Sequence, residues 1–215
     1  MYRYKFNELK KWKNSSNRKP LIIRGARQVG KTWLMQEFGK REYEKCAYIN
    51  FDENTRMIKL FSGDFDIERI IQGLKIESGV NIEPENTLII FDEVQETPKA
   101  LTALKYFYEK ANQYHIVAAG SLLGVAMHEG ASFPVGKVDF LDLYPLNFLE
   151  FLRALGEENI VELVEKNDIE MIKVFSDKLK NYLKQYLYIG GMPEVVETYV
   201  ETKDFIEVRR KQEVL

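Results

Sequence analysis

Lys31 and Thr32 close an eight-residue stretch, Gly25-Ala26-Arg27-Gln28-Val29-Gly30-Lys31-Thr32, with the spacing G-x-x-x-x-G-K-T. That spacing makes a loop that cradles phosphate. Its backbone N–H groups point inward at a phosphate chain, and the helix start that follows adds about half a positive charge. Gly25 and Gly30 permit torsions and a close approach that a Cβ would block. Lys31 has the reach for β- and γ-phosphates, and the Thr32 hydroxyl suits Mg²⁺. The nucleotide contacts expected from the stretch are Gly25, Ala26, Arg27, Gln28, Val29, Gly30, Lys31, Thr32 and the next residue, Trp33. From glycine frequency, a chance match arises in roughly one chain in a hundred of this size, and fewer still carry the flanking strand and helix seen here.

Asp92 and Glu93 end the apolar run Thr87-Leu88-Ile89-Ile90-Phe91. Such a run fits a strand buried on both faces of a parallel sheet. Ligands of open α/β sheets bind at the carboxyl ends of strands. Asp92 is therefore the expected second Mg²⁺ ligand beside Thr32, directly or through water, and Glu93 is placed to orient and deprotonate a water attacking the γ-phosphate. Without the loop upstream, two solvated acids opening a helix near Pro98 would be the simpler account. Ser121 follows the run His115 to Ala119 and Gly120, and is a candidate contact to the γ-phosphate or the attacking water. A Ser after Gly is equally an ordinary turn residue. His115 and His128 have no partner at ligand or triad spacing, which favours packed or surface roles. Cys46 sits in an apolar segment and reads as a buried strand residue rather than a reactive thiol.

These residues need elements to hold them. Apolar runs predict strands at 21–23, 46–51, 87–93, 115–119 and 138–143. Helical spacing predicts helices over 2–12, from 33 to a stop at Gly39, and over 57–61, 67–76 and 98–111. Five strands with helices between them predict an α/β three-layer sandwich of the phosphate-loop NTPase type, with a mainly parallel five-stranded sheet. Asp52, Glu53 and Asn54 follow the second strand, where helix capping is the better reading. Trp12 or Tyr4 could pack on a base, although core packing is the commoner use of an aromatic. From Pro145 the pattern is helix only, with segments expected at 148–155, 160–164, 171–187, 193–200 and 205–215. The expected domains are a core at 1–145 and a small helical, lid- or winged-helix-like region at 146–215. The last segment carries no cap, so the chain reads as cut from a longer one.

Composition restricts the function classes. The 45% hydrophobic and 30% charged shares are those of a soluble globular protein with a proper core. A net charge of −2 gives no electrostatic signature for nucleic acid or an anionic membrane. One cysteine and no His/Cys spacing of metal type predict a reducing, cytoplasmic setting without structural zinc. The weakly polar stretch from His115 to Met127 is shorter than the roughly 20 residues a bilayer span needs.

Five segments occur in a telling order: Ile23-Arg24 with the loop, Ile90-Phe91-Asp92-Glu93-Val94-Gln95, Ala119-Gly120-Ser121, Leu143-Tyr144-Pro145-Leu146 with Phe148-Leu149-Glu150-Phe151, and Gly190-Gly191-Met192-Pro193. Nearly the whole chain resembles the AAA-type ATPases of bacteria and archaea in which an ATPase core precedes a C-terminal, restriction-endonuclease-like domain of unknown function. The resemblance implies binding of ATP and ADP and hydrolysis with Mg²⁺. Lys31 and Thr32 would serve phosphate and metal, and Asp92 and Glu93 metal and water. Relatives tend to carry Gly-Arg before the fifth strand, where this chain has Gly136-Lys137. Lysine there offers a point charge without arginine's fork. Arg24 and Arg27 are the alternative cations, although a surface role is the commoner reading for each.

Three functions compete on these residues. The first is a Mg-dependent ATPase whose hydrolysis moves the helical region and a C-terminal domain. The second is an ATP/ADP switch with little turnover, against which Glu93 counts, since a switch can dispense with a strong base. The third, a small-molecule kinase, would want an arginine-rich lid, and after Pro145 the arginines are Arg153, Arg209 and Arg210. The macromolecular partner is unknown. Nucleic acid enters by analogy to the C-terminal domain alone, no membrane is implied, and the oligomeric state is open.

Overall fold

The computed structural model describes residues 1–120 and 136–215; Ser121 and His128 lie outside the described residues. Five short strands form one sheet: β1 (Leu21–Arg24), β2 (Lys45–Asn50), β3 (Thr87–Asp92), β4 (His115–Ala119) and β5 (Asp139–Asp142). Their order is β2-β3-β4-β1-β5, and the described pairings are all parallel. Parallel neighbours need a crossover between them, and helices supply it. These are α2 (Lys31–Glu42) between β1 and β2, α3 (Thr55–Ser62) and α4 (Ile67–Ser78) between β2 and β3, and α5 (Pro98–Lys110) between β3 and β4, while α1 (Lys5–Lys13) precedes β1. The fold is α/β with an all-parallel five-stranded sheet.

Strand alternation assigns the two faces. Ile22, Ala47, Ile49, Ile89, Phe91, Ile116 and Ala118 join Met57, Phe61, Ile70, Leu74 and Leu104 in one core, so α3, α4 and α5 cover that face. Phe51, Phe61 and Phe91 meet there with ring centroids 5.1, 5.7 and 5.9 Å apart. Leu88 and Ile90 point the other way, toward the side where α2 packs on β2, β3 and β4 and α1 packs on α2. Gly39 does not end a helix as its composition suggested: α2 runs on to Glu42. An ideal Cβ on Gly39 would stand 2.6 Å from Cys46 Sγ and 3.4 Å from Leu88 Cδ2, so the glycine lets the helix close on the sheet. Asn54 caps α3, its side chain accepting from the Met57 N–H at 3.2 Å.

The chain divides into two compact units. The sheet unit holds Lys5–Arg27 and Lys31–Leu143; the helical unit holds Tyr144–Leu215 together with Met1–Tyr4 and Gln28–Gly30. In the helical unit lie α6 (Phe148–Ala154), α7 (Glu158–Glu165), α8 (Ile169–Val174), α9 (Ser176–Ile189), α10 (Pro193–Thr202) and α11 (Phe205–Val214). Its core gathers Leu146, Phe151, Ile189, Val195, Val196, Tyr199 and Val208. The helix expected over 171–187 is two helices, broken at Phe175, whose φ and ψ of −96° and 15° leave the helical region. Ser176 and Asp177 are helix-starting residue types, and an apolar period spanning the break hides them.

A close backbone approach ties this unit together. The Leu146 N–H donates to Gly191 O at 2.7 Å, and Tyr186 OH donates to Leu146 O at 2.8 Å. An ideal Cβ on Gly191 would fall 2.1 Å from Leu146 O, a distance no side chain tolerates. The Leu-Tyr-Pro-Leu and Gly-Gly-Met-Pro segments therefore form one junction. Among the described residues, no helix is long and apolar enough to cross a membrane.

Candidate functional site

The loop leaves β1 at Arg24 and enters α2 at Lys31, the strand–loop–helix order that phosphate binding requires. Gln28 and Gly30 have φ of 63° and 91°. Left-handed residues alternating with right-handed ones turn successive N–H groups into an anion-binding concavity. Gln28, without glycine's freedom, holds its torsion at a cost of order 1–3 kcal/mol, a strain that clusters at ligand sites. Val29 is buried, while Ala26, Arg27 and Gln28 are exposed.

Lys31 is buried, and its ammonium donates to Gly25 O at 3.0 Å and Ala26 O at 2.7 Å. Burial lowers its pKa, the charges of Glu93 and Asp92 pull it back up, and Arg27 adds to the lowering. Thr32 Oγ1, one residue on, donates to Asp92 Oδ2 at 2.7 Å. The same oxygen accepts from Tyr48 OH at 2.9 Å, and Oδ1 accepts from the Glu93 N–H at 3.1 Å. The buried Asp92 carboxylate is thus held by three donors. Burial first, then the hydrogen bond to Asp92, raises the Tyr48 pKa, so Tyr48 stays a donor at neutral pH.

Glu93 opens the 3₁₀ turn Val94–Glu96 with φ and ψ of 50° and 43°, a left-handed conformation costly for a non-glycine residue. Gln95 Nε2 donates to Glu93 Oε2 at 2.7 Å, while the buried Gln95 Oε1 has no hydrogen-bond partner among the described residues. A carboxylate and an unsatisfied amide oxygen on one turn both accept hydrogen bonds, and a water molecule has two to give.

Two of these residues escaped the sequence. Tyr48 reaches Asp92 through the register of two parallel strands, in which Tyr48 pairs with Ile90 and Asn50 with Asp92. A strand tyrosine two positions before the carboxyl end of a neighbouring strand is a weak signal that only a known register makes readable. Gln95 belonged to a quoted segment but had no role there.

The proposed cations separate. Lys137 pairs with Glu109 at 2.9 Å just before β5 begins, at the amino-terminal edge of the sheet. The loop leaves the opposite, carboxyl-terminal edge, so the four residues of β1 and β5, about 13 Å of strand, lie between. Arg24 forks onto Asp142 at 2.8 and 2.9 Å at the end of β5 and lies over the Phe140 ring. Arg27 and Trp33 are exposed. Trp12 is a core residue: its Nε1 donates to Lys19 O at 2.7 Å and its ring meets Phe38 and His115. His115 is buried against Tyr43 OH at 2.7 Å, and burial, then Arg18 and Lys13, bring its pKa down to about 4. Burial pushes the half-buried Cys46 thiol up to about 11, which keeps it unreactive at neutral pH.

Asp92 and Thr32 offer a carboxylate and a hydroxyl, both hard oxygen donors. Among the described residues no group of three His, Cys, Asp or Glu could hold a metal. A cation here would complete its shell with phosphate oxygens and water, which is the habit of Mg²⁺.

A family model described as an AAA domain matches residues 17–152 of the chain. An uncharacterized protein of Methanocaldococcus jannaschii is 25% identical over 201 residues, which cover 87% of this chain and 41% of that one. An uncharacterized protein of Haemophilus influenzae is 27% identical over 186 residues, covering 81% of this chain and 40% of its own. The chain thus spans about two fifths of the length of these relatives. Among solved structures, the Walker-type ATPase PABY2304 of Pyrococcus abyssi superimposes with a TM-score of 0.57 at 17% identity, over 96% of this chain and 70% of that one. At that identity the likeness is one of fold.

Proposed function

This chain belongs to the AAA domain family, and from that membership we propose that it binds ATP with Mg²⁺ and hydrolyses it to ADP and phosphate. The observation that carries the reading is the 2.7 Å hydrogen bond from Thr32 to Asp92, with Glu93 next in the chain. It unites the end of the phosphate loop with the end of β3. In this reading the amides of Gly25 to Thr32 and the Lys31 ammonium bind phosphate oxygens. Thr32 and Asp92 would hold Mg²⁺, which when bound neutralises charge on the β- and γ-phosphates. Tyr48 keeps Asp92 oriented. Glu93, steadied by Gln95, accepts a proton as the water oxygen bonds to the γ-phosphorus and the bond to the β–γ bridging oxygen breaks.

We assign the core role to residues 1–145 and a lid role to 146–215, with hydrolysis driving motion of the helical region. In longer relatives a following endonuclease-like domain would receive that motion, and any nucleic-acid partner would belong there. A second reading, an ATP/ADP switch with little turnover, draws support from the engagement of Arg24 with Asp142 and of Lys137 with Glu109. With those two engaged, fast hydrolysis would rely on Arg27 of the loop or on a cation from another chain, a contribution on the order of 10³–10⁵ in rate.

Steady-state phosphate release from Mg-ATP decides between the readings. The ATPase reading expects turnover in the wild type, loss of turnover with retained binding in Glu93→Gln, and loss of binding in Lys31→Ala. Tight binding with no phosphate release from the wild type would leave the switch. A wild type that binds no nucleotide would sink both.

A further inference from the structure

Residues Gln28–Gly30 of the loop group with Met1–Tyr4 in the helical unit, and Arg3 is where the two segments meet. Its guanidinium is buried. Nη1 donates to Val29 O at 3.0 Å, Nη2 donates to Tyr144 O, and Nε lies 3.3 Å from Glu150 Oε1 without a hydrogen bond of its own among the described residues. Gly30 sits beside it: an ideal Cβ there would be 3.6 Å from Pro193 Cγ and 3.8 Å from Arg3 Nη1.

Glu150 is anchored in turn. Its Oε1 accepts from the Tyr4 N–H at 2.8 Å and its Oε2 from the Asn147 N–H at 3.0 Å, while Asn147 Oδ1 accepts from the Glu150 N–H at 2.9 Å. This is a capping box on the first turn of α6. The N-terminal segment has other fastenings. Arg153 lies 4.5 Å from the Tyr2 ring centroid and 5.7 Å from that of Tyr4, and it pairs with Glu158 at 2.8 Å and Glu165 at 3.1 Å. Tyr4 OH also donates to Glu165. Tethering the N-terminus therefore does not require a guanidinium to be desolvated against the loop, which is an expensive placement.

Peptide geometry gives that placement a use. The Val29–Gly30 peptide is planar and trans, so its C=O and N–H point in opposite directions. A guanidinium that grips Val29 O also fixes the Gly30 N–H, aimed away from Arg3. We propose that Arg3 is a positioning residue for the phosphate loop: it presets the Val29–Gly30 peptide for phosphate and links anion binding on the loop to the Glu150 cap of α6. This rests on the nucleotide-binding reading above.

The test measures Mg-ATP and Mg-ADP affinity by calorimetry, with melting temperature and the Gly30 amide resonance in ¹⁵N spectra recorded alongside. Arg3→Gln is expected to weaken binding about 5- to 150-fold, the range of linked sites. Its Gly30 amide resonance should shift before any nucleotide is added. Arg3→Lys should recover part of the affinity, because a single ammonium can stand in for one of the two donating ends of the fork but not for both in the same geometry. Glu150→Gln can keep the cap on the Asn147 N–H with its one oxygen but turns an amide NH₂ toward the Tyr4 N–H and Arg3 and loses the charge, so it should shift affinity in the same direction by less. Val208→Ala, in the core of the helical unit, should lower the melting temperature and leave affinity unchanged. If Arg3→Gln does not fold, Arg3→Lys and Glu150→Gln carry the comparison. Wild-type affinity together with an unmoved Gly30 resonance in the Arg3 variants would overturn the proposal. A wild type that binds no nucleotide would overturn the nucleotide reading instead, and the Gly30 resonance would still report on Arg3.

Discussion

In the sheet unit every residue of β3 and β4 is buried, whereas in the helical unit α8 buries none of its residues and α9 buries only Ile189. Both units use amphipathic helices; what differs is what the helices cover. A parallel sheet has two apolar faces and takes helices on both, so its core is thick and its strands are shielded throughout. The helical unit has no such slab, and Ile169, Met171, Val174, Phe175, Leu183, Leu187 and Tyr188 stay exposed on α8, α9 and the link between them. Local stability follows buried apolar contact, so the two units should differ in how readily they open.

Both tryptophans of the chain, Trp12 and Trp33, belong to the sheet unit, which gives the contrast a simple readout. In urea, the helical circular dichroism signal should begin to fall before tryptophan fluorescence changes. Coincident transitions would show one cooperative unit and break the comparison. Phe91→Ala should have the largest effect, about 3–5 kcal/mol for a buried aromatic, seen in the fluorescence transition. Gly191→Ala should cost about 1–3 kcal/mol or more through overpacking against Leu146 O. That loss should appear in the early dichroism phase and leave the fluorescence midpoint in place.

A further contrast is a pH dependence confined to the sheet unit. Native His115 has a pKa of about 4 against an ordinary 6.5, so the unfolded chain binds the proton first. The stability tied to neutral His115 is full above pH 6.5, is lost as pH falls from 6.5 to 4, and changes no further below that. Fluorescence-detected urea melts across this window should show the slope in the wild type and a shallower one in His115→Gln, which can still accept from Tyr43. Equal slopes would place the acid sensitivity elsewhere.

What could be read ahead of the structure was what neighbours in sequence decide. The loop and the Asp92–Glu93 pair announce themselves locally because each is one strand end with its turn. A mainly parallel sheet followed from apolar runs alternating with helical spacing, and the described pairings are parallel throughout. Tyr48 could not be seen, because its hydroxyl meets Asp92 only in the β2–β3 register, and nothing adjacent in sequence specifies that pairing. Gly39 was misleading for a related reason: a glycine that ends a helix and one that lets it approach a strand look identical until Cys46 is opposite it. Lys137 carries a finger residue's charge without arginine's fork, and its place at the amino-terminal edge of the sheet is set by strand direction, which spacing in sequence does not give. The split at Phe175 lies inside an unbroken apolar period, which carries no information about torsions at a single residue.

The mating of Leu146 with Gly191 also makes α6 to α9 a bracketed excursion, a stretch of chain whose two ends are fastened side by side. Between them, the turn from α7 into α8 at Asn167 is exposed and already holds a left-handed φ of 53°. Lengthening such an excursion costs little, since doubling a loop adds only about 0.6 kcal/mol of closure entropy. That turn is the natural point at which to graft a fluorophore or a small reporter domain, with the two ends of the stretch still fastened to each other.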